Sequence, residues 1–214
     1  MEGSPAGTMK LVGRHPALDF VNTVGGRAEA GSPLRVLVTA DKLVAYPDLL
    51  DWARHAGLLG ESAARELARE AGRRPREAKG VLGRATRLRE SLYRILRSAM
   101  DGRAPDPGDL GVVNVELGAL RRRERLVPGP DGLRWEAASG RDRLDSVLLP
   151  VARAAEALLT SGGLDRLRQC GGEGCGWLFL DQSRNHRRRW CTMEDCGNLA
   201  KVRRFRRRWR RGGT

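Results

Sequence analysis

Apolar positions recur at helical spacing along most of the chain. ALDFVNTV carries them at 17, 18, 20, 21 and 24, a short helical pattern. DLLDWARHAGLL (48–59) places Leu49, Leu50, Trp52, Ala53 and Ala56 on one face, with Asp48 as cap and Gly57 at the end. ESAARELAREAG (61–72) repeats the pattern through Ala63, Ala64, Leu67 and Ala68. The longest run, 76–100, keeps Leu82, Ala85, Leu88, Leu92, Ile95, Leu96 and Ala99 in helical register with arginines on the far side. After the loop DGRAPDPG, residues 109–122 bring Leu110, Val113, Leu117 and Leu120 together. RLVPGPDGLRWEA (125–137) reads as two short extended pieces about PGPDG, a hairpin. Residues 145–162 predict a further helix that Pro150 either starts or kinks. Residues 1–10 read as a disordered leader, and LRVLVTA, within the Gly- and Pro-bearing stretch 25–40, as extended. The pattern predicts about six helices and one hairpin in a mostly α chain of α+β class.

Beyond residue 165 the pattern changes. Cys170, Cys175, Cys191 and Cys196 are the chain's four cysteines and form two Cys-x4-Cys pairs. Four thiolates satisfy tetrahedral zinc with no position open, so such a site is structural and folds a module too short to build its own core. His186, between the pairs, is a spare ligand that four cysteines make unnecessary. The opening residues lack an apolar segment after a basic start, and no run approaches a membrane span of roughly 18 apolar residues. A cytoplasmic chain with reduced thiols is therefore expected, which favours zinc over disulfides. The glycine-rich loop between Cys170 and Cys175, a strand at WLFLD (177–181) returning through RRW, and a helix opening at Asn198 together suggest a treble-clef-like finger.

The formal charge of +14 is unevenly placed. From Arg184 to Arg211, twelve basic residues face only Glu194 and Asp195. Arg184, Arg187, Arg188, Arg189, Lys201, Arg203, Arg204, Arg206, Arg207 and Arg208 are the candidate nucleic-acid contacts, an electrostatic footprint suited to phosphate. On the last helix, Leu199, Val202, Phe205 and Trp209 form a narrow stripe expected to dock on the module, leaving the arginines outside. A merely solvated face, an acidic membrane surface and an acidic protein are the competing readings.

RLRQCGGEGCGWLFLDQSRNHRRRWCTMEDCGN resembles the CGNR zinc finger, and LDFVNT, DLLDWARHAGLL and LLPVARAAEALLTSGGLDRLRQC resemble the ABATE domain that precedes it in bacterial proteins. The name-giving arginine after Cys-Gly-Asn is Leu199 here. The resemblance implies a transcription regulator: an ABATE-like regulatory domain over 11–165 and a DNA-binding finger over 166–211 holding one structural zinc ion. Asp19 and Asn22, polar within an apolar helix, are candidates for an effector site, although caps or cross-links are the commoner role of such residues. The expected partner is duplex DNA, with RNA or the ribosome as the alternative, and the N-terminal domain would sense a small molecule or form a homodimer. An enzyme is disfavoured. His15, His55 and His186 are isolated, and no phosphate loop, nucleophile elbow or HExxH pattern is present.

Overall fold

The computed structural model describes residues 4–27, 41–137 and 143–211, without the side chains of 137, 208, 210 and 211. Its elements run α1 (Pro16–Val21), α2 (Tyr46–His55), α3 (Glu61–Arg73), α4 (Pro75–Met100), α5 (Pro107–Arg121), β1 (Glu124–Gly129), β2 (Gly132–Ala137), α6 (Leu148–Thr160), β3 (Leu167–Gln169), β4 (Leu178–Leu180) and α7 (Asn198–Arg211). The expected mostly α architecture is observed. The segment LRVLVTA lies outside the described residues.

Local chemistry sets the helix ends. Pro16, Pro75 and Pro107 occupy first turns, where a missing N–H leaves no bond unmade. Asp106 caps α5 by accepting from the Gly108 and Asp109 amides, and the His15 ring accepts from the Ala17 amide at the start of α1. Arg74 separates α3 from α4 at φ −129° and ψ 59°, outside the helical region, as the residue before a proline prefers. Pro150 falls in the first turn of α6, so it starts that helix and does not kink it. Asp48 sits one turn further in than expected: α2 begins at Tyr46, and the Asp48 carboxylate reaches back to the Val44 and Ala45 amides.

The core has two main parts. In one, Phe20, Trp52, Leu88, Leu144 and Val151 bring α1, α2, α4 and α6 together. In the other, Leu18 and Val21 of α1, Leu92 and Leu96 of α4 and Leu158 of α6 enclose Leu167 of β3 and Leu178 of β4. The hairpin β1–β2 pairs Glu124 with Ala137 through to Gly129 with Gly132 and lies mostly exposed.

Three sequence expectations need correction. The leader is ordered from residue 4: Ala6 and Met9 are buried, Ser4 Oγ donates to Asp48 at 2.6 Å, and the Met9 carbonyl meets His55 Nε2 at 2.8 Å. Small apolar residues between polar ones gave no periodic signal for this packing. The arginines of α4 are not all on a far side. Arg89 is buried, with a bidentate pair to Asp41 at 2.7 Å and a bond to Thr23 Oγ1; Arg84 pairs with Glu116 and Asp145. Finally, β4 pairs with β3, Leu167 opposite Leu180, and no strand forms over the RRW segment.

Candidate metal centre and basic surface

The cysteines are brought together by three short pieces of structure. Cys170 and Cys175 lie on the loop joining β3 to β4, Cys191 follows the arginine-bearing loop, and Cys196 sits in a π-helical turn, Met193–Gly197, that runs directly into α7. Their four sulfurs lie within 4.8 Å of one another, with Cys175–Cys191 at 3.8 Å and Cys191–Cys196 at 3.5 Å. Zinc–thiolate bonds of about 2.3 Å in a tetrahedron require sulfur–sulfur separations of about 3.8 Å. The cluster fits that ion in donor type, number and spacing.

The surroundings suit bound thiolates. The Cys170 sulfur accepts from the Cys191 amide at 3.2 Å and the Gly172 amide at 3.4 Å. A Cβ at Gly172 would stand 2.7 Å from the Cys196 sulfur, so only glycine lets the loop pass there. Thiols this crowded cannot all ionise without a cation. Hydrogen bonds from Cys175, Cys191 and Cys196 hold the Cys170 thiol far below the usual range, while the Cys175 and Cys191 thiols are pushed up. Zinc removes that conflict by taking all four as thiolates. Val12, Phe179, Trp177 and Trp190 pack around the cysteines as a small apolar shell, and Trp177 Nε1 donates to the Val24 carbonyl at 3.1 Å.

Residues 14–162 match the ABATE family, described as "Putative stress-induced transcription regulator". The chain belongs to that family. Residues 166–209 match the CGNR zinc finger, and with the four clustered thiols this makes the chain a zinc-binding protein with one structural site. No curated protein matches the chain.

Two polar residues of the LDFVNT motif tie the ABATE segment to the finger, Asn22 directly and Asp19 through Gly13. Asn22 is buried and clamps β4: its amide nitrogen donates to the Leu178 carbonyl and its oxygen accepts from the Leu178 amide, both at 2.8 Å. Asp19, also buried, accepts from the Gly13 amide at 2.8 Å. A Cβ on Gly13 would lie 2.6 Å from Leu18, so the chain comes this close only as glycine. The Gly13 carbonyl in turn accepts from the Leu180 amide at 3.0 Å. Burial raises the Asp19 carboxyl to about 6, the Gly13 and Val12 amides opposing it. Both residues are cross-links, and their polar atoms are taken up by the finger strand and the segment leading into α1.

The expected phosphate contacts divide into groups. Arg184, Arg187, Arg189, Lys201, Arg204, Arg206 and Arg207 are exposed and have no ion-pair partner among the described residues. Arg203 is half-buried and pairs with Glu173 at 2.8 Å. The side chain of Arg208 lies outside the described residues. Arg188 is different in kind. Its guanidinium lies 4.1 Å from the Phe179 ring centre and donates to the carbonyls of Val12, Trp190 and Cys191, bracing the finger from inside. Burial lowers its pKa, and the Arg14 charge lowers it further. His186 stays exposed in the turn at φ 49°, away from the sulfur cluster.

The apolar stripe of α7 does not dock. Leu199, Val202, Phe205 and Trp209 are 46–78% exposed, and the helix packs mainly on the 193–197 turn. Helical periodicity locates a stripe but not a surface to receive it. Asp181 was missed in the sequence. Fully buried, it accepts from Ser183 Oγ at 2.6 Å and from the Ser183 and Arg188 amides at 2.9 Å, shaping the loop that carries Arg184 to Arg189. An aspartate ending an apolar strand just before Ser-x-x-His is the signal that could have marked it.

Proposed function

We propose that the protein is a DNA-binding transcription regulator in which Cys170, Cys175, Cys191 and Cys196 hold zinc and the finger presents arginines to duplex DNA. One observation carries this: seven basic side chains of the finger stand exposed, without ion-pair partners among the described residues, on a single metal-stabilised module. Elsewhere arginine is mostly consumed by carboxylates, as in Arg84 with Glu116, Arg89 with Asp41 and Arg94 with Asp109. Guanidinium forks left free on a rigid support suit phosphate oxygens and guanine edges. Arg184, Arg187, Arg189, Lys201, Arg204, Arg206 and Arg207 are the contacts, while Arg188 holds their loop in place.

The four-thiolate site is closed and has no position for a catalytic water, so its zinc serves folding. Residues 11–165 act as the regulatory domain, by binding an effector or by forming a homodimer. Among the described residues no helix is long and apolar enough to cross a membrane.

Competition between a short duplex and a structured RNA for the zinc-loaded protein tests the proposal. The duplex should displace RNA at equal phosphate concentration, and the genomic fragments the protein retains in its own cells should share a sequence. Preference for RNA would move the protein to the RNA-binding class. Binding of neither would refute a nucleic-acid function.

A further inference from the structure

A cleft of about 640 Å³ lies between the segment before α1 and the second half of the finger. Arg14 stands on its N-terminal wall, Arg187 and Arg189 on the finger wall, and Trp190 and Glu194 also line it. Arg14, Arg187 and Arg189 are exposed and lack carboxylate partners among the described residues. The Arg189 guanidinium rests 5.5 Å from the centre of the half-buried Trp190 ring. Glu194 is the opposing charge on the lining, and Lys10 and Asp195 nearby are engaged with each other at 2.5 Å.

Arg14 is held in an unusual way. Its backbone adopts φ 62°, a left-handed conformation that side chains other than glycine's rarely occupy and that persists only where the surroundings impose it. The imposition is visible one residue earlier. The Gly13 peptide is fixed on one side by Asp19 of α1 and on the other by the Leu180 amide of β4. Arg188, which also lines the cleft, ties the Val12 carbonyl to those of Trp190 and Cys191. Both walls are therefore fixed to one frame, and four arginines line it against the single carboxylate of Glu194 among the described residues.

We propose that this cleft is a phosphate-binding site formed jointly by Arg14 of the ABATE segment and Arg187 and Arg189 of the finger, with Trp190 as an apolar side wall. Converging guanidinium groups recognise phosphate oxygens through charge-assisted, often bidentate hydrogen bonds. The phosphate comes either from a nucleic-acid backbone or from a free nucleotide, and the volume accommodates both. The nucleic-acid arm rests on the function proposed above; the free-nucleotide arm does not.

The test uses full-length, zinc-loaded protein and the variants Arg14→Gln and Arg187→Gln, one on each wall. Inorganic phosphate and then a nucleoside monophosphate are titrated while the Arg14 and Arg187 amides and the Trp190 indole N–H are followed by NMR. Salt dependence of binding to a short duplex is measured in parallel. Saturable shifts at these signals, with affinity about tenfold weaker in both variants, support the site. If the duplex slope also falls by about 0.9 in each variant, the backbone is the source of phosphate. If the slope is unchanged, a free nucleotide is. Absence of saturable shifts together with unchanged slopes in both variants would overturn the proposal. So would a loss confined to one wall. Zinc content and thermal midpoint are checked throughout; should Arg14→Gln fail to fold, Arg14→Lys, expected to weaken binding because an ammonium cannot make the bidentate contact, and Arg187→Gln carry the test. Neutralising arginines of α7 probes the nucleic-acid function separately, because that helix does not line the cleft.

Discussion

Asn22 shows how one side chain can join two modules. Its amide pairs with both backbone groups of Leu178, a residue on the other side of the family boundary. Replacing it with alanine strands a buried N–H and a buried carbonyl, each costing about 1–3 kcal/mol. Asn22→Ala should lower unfolding free energy by about 2–4 kcal/mol in urea melts, with zinc still bound at neutral pH; a change below about 0.5 kcal/mol would mean that water replaces the amide. Asp19 makes a second prediction, about pH. Its folded carboxyl titrates near 6, above the ordinary 3.8, because burial disfavours the charge. Between those values the folded chain holds a proton that the unfolded chain has released. The favourable contribution is therefore complete below the unfolded pKa and is lost as pH rises through the folded one. Relative to Asp19→Asn, the wild type should lose about 1 kcal/mol between pH 5 and pH 7. The comparison cancels the opposite trend from protonation of zinc thiolates. Equal pH profiles for the two proteins would show that Asp19 is ionised throughout.

At the scale of elements, the long helices were legible because burial on one face imposes a repeat. Leu88, Leu92, Ile95 and Leu96 of α4 are buried in the register the sequence predicts. The cysteines were legible because four thiolates have few other uses. What escaped was pairing between distant segments. Nothing local says that Arg89 meets Asp41, that Gly13 bonds Leu180, or that β4 pairs with β3 and not with a returning strand. The sequence of α7 shows a stripe but not a contact, since periodicity carries no information about a partner surface. These observations change the expected outcome of metal removal. An independent finger would unfold from about residue 168 onward. With Leu167 and Leu178 inside the core of α1, α4 and α6, the β3–β4 pair should stay folded. On chelation, or in Cys196→Ser, hydrogen exchange should accelerate at the Cys191 and Gly197 amides and remain slow at Leu178 and Leu180. Fast exchange at Leu178 would show that zinc supports the shared core as well.

For the whole molecule, the arrangement separates two uses of arginine. Within the helical part, most described guanidinium groups pair with carboxylates, and some of these pairs tie elements together, as Arg84 does with Glu116 and Asp145. On the finger they stand free, and α7 extends them beyond the body of the protein. That free charge is proposed to meet nucleic-acid phosphate. The direct measurement is the salt dependence of duplex binding by the wild type and by the triple variant Arg204→Gln, Arg206→Gln, Arg207→Gln, three exposed side chains without ion-pair partners among the described residues. Arg203 is left in place because Glu173 already holds it. Each phosphate contact contributes roughly 0.9 to the log–log slope, so the variant should bind more weakly with a slope flatter by about two to three units. Its zinc content should be unchanged, since no residue near the thiols is altered. An identical slope at full zinc occupancy would contradict the account and leave α7 a solvated basic helix.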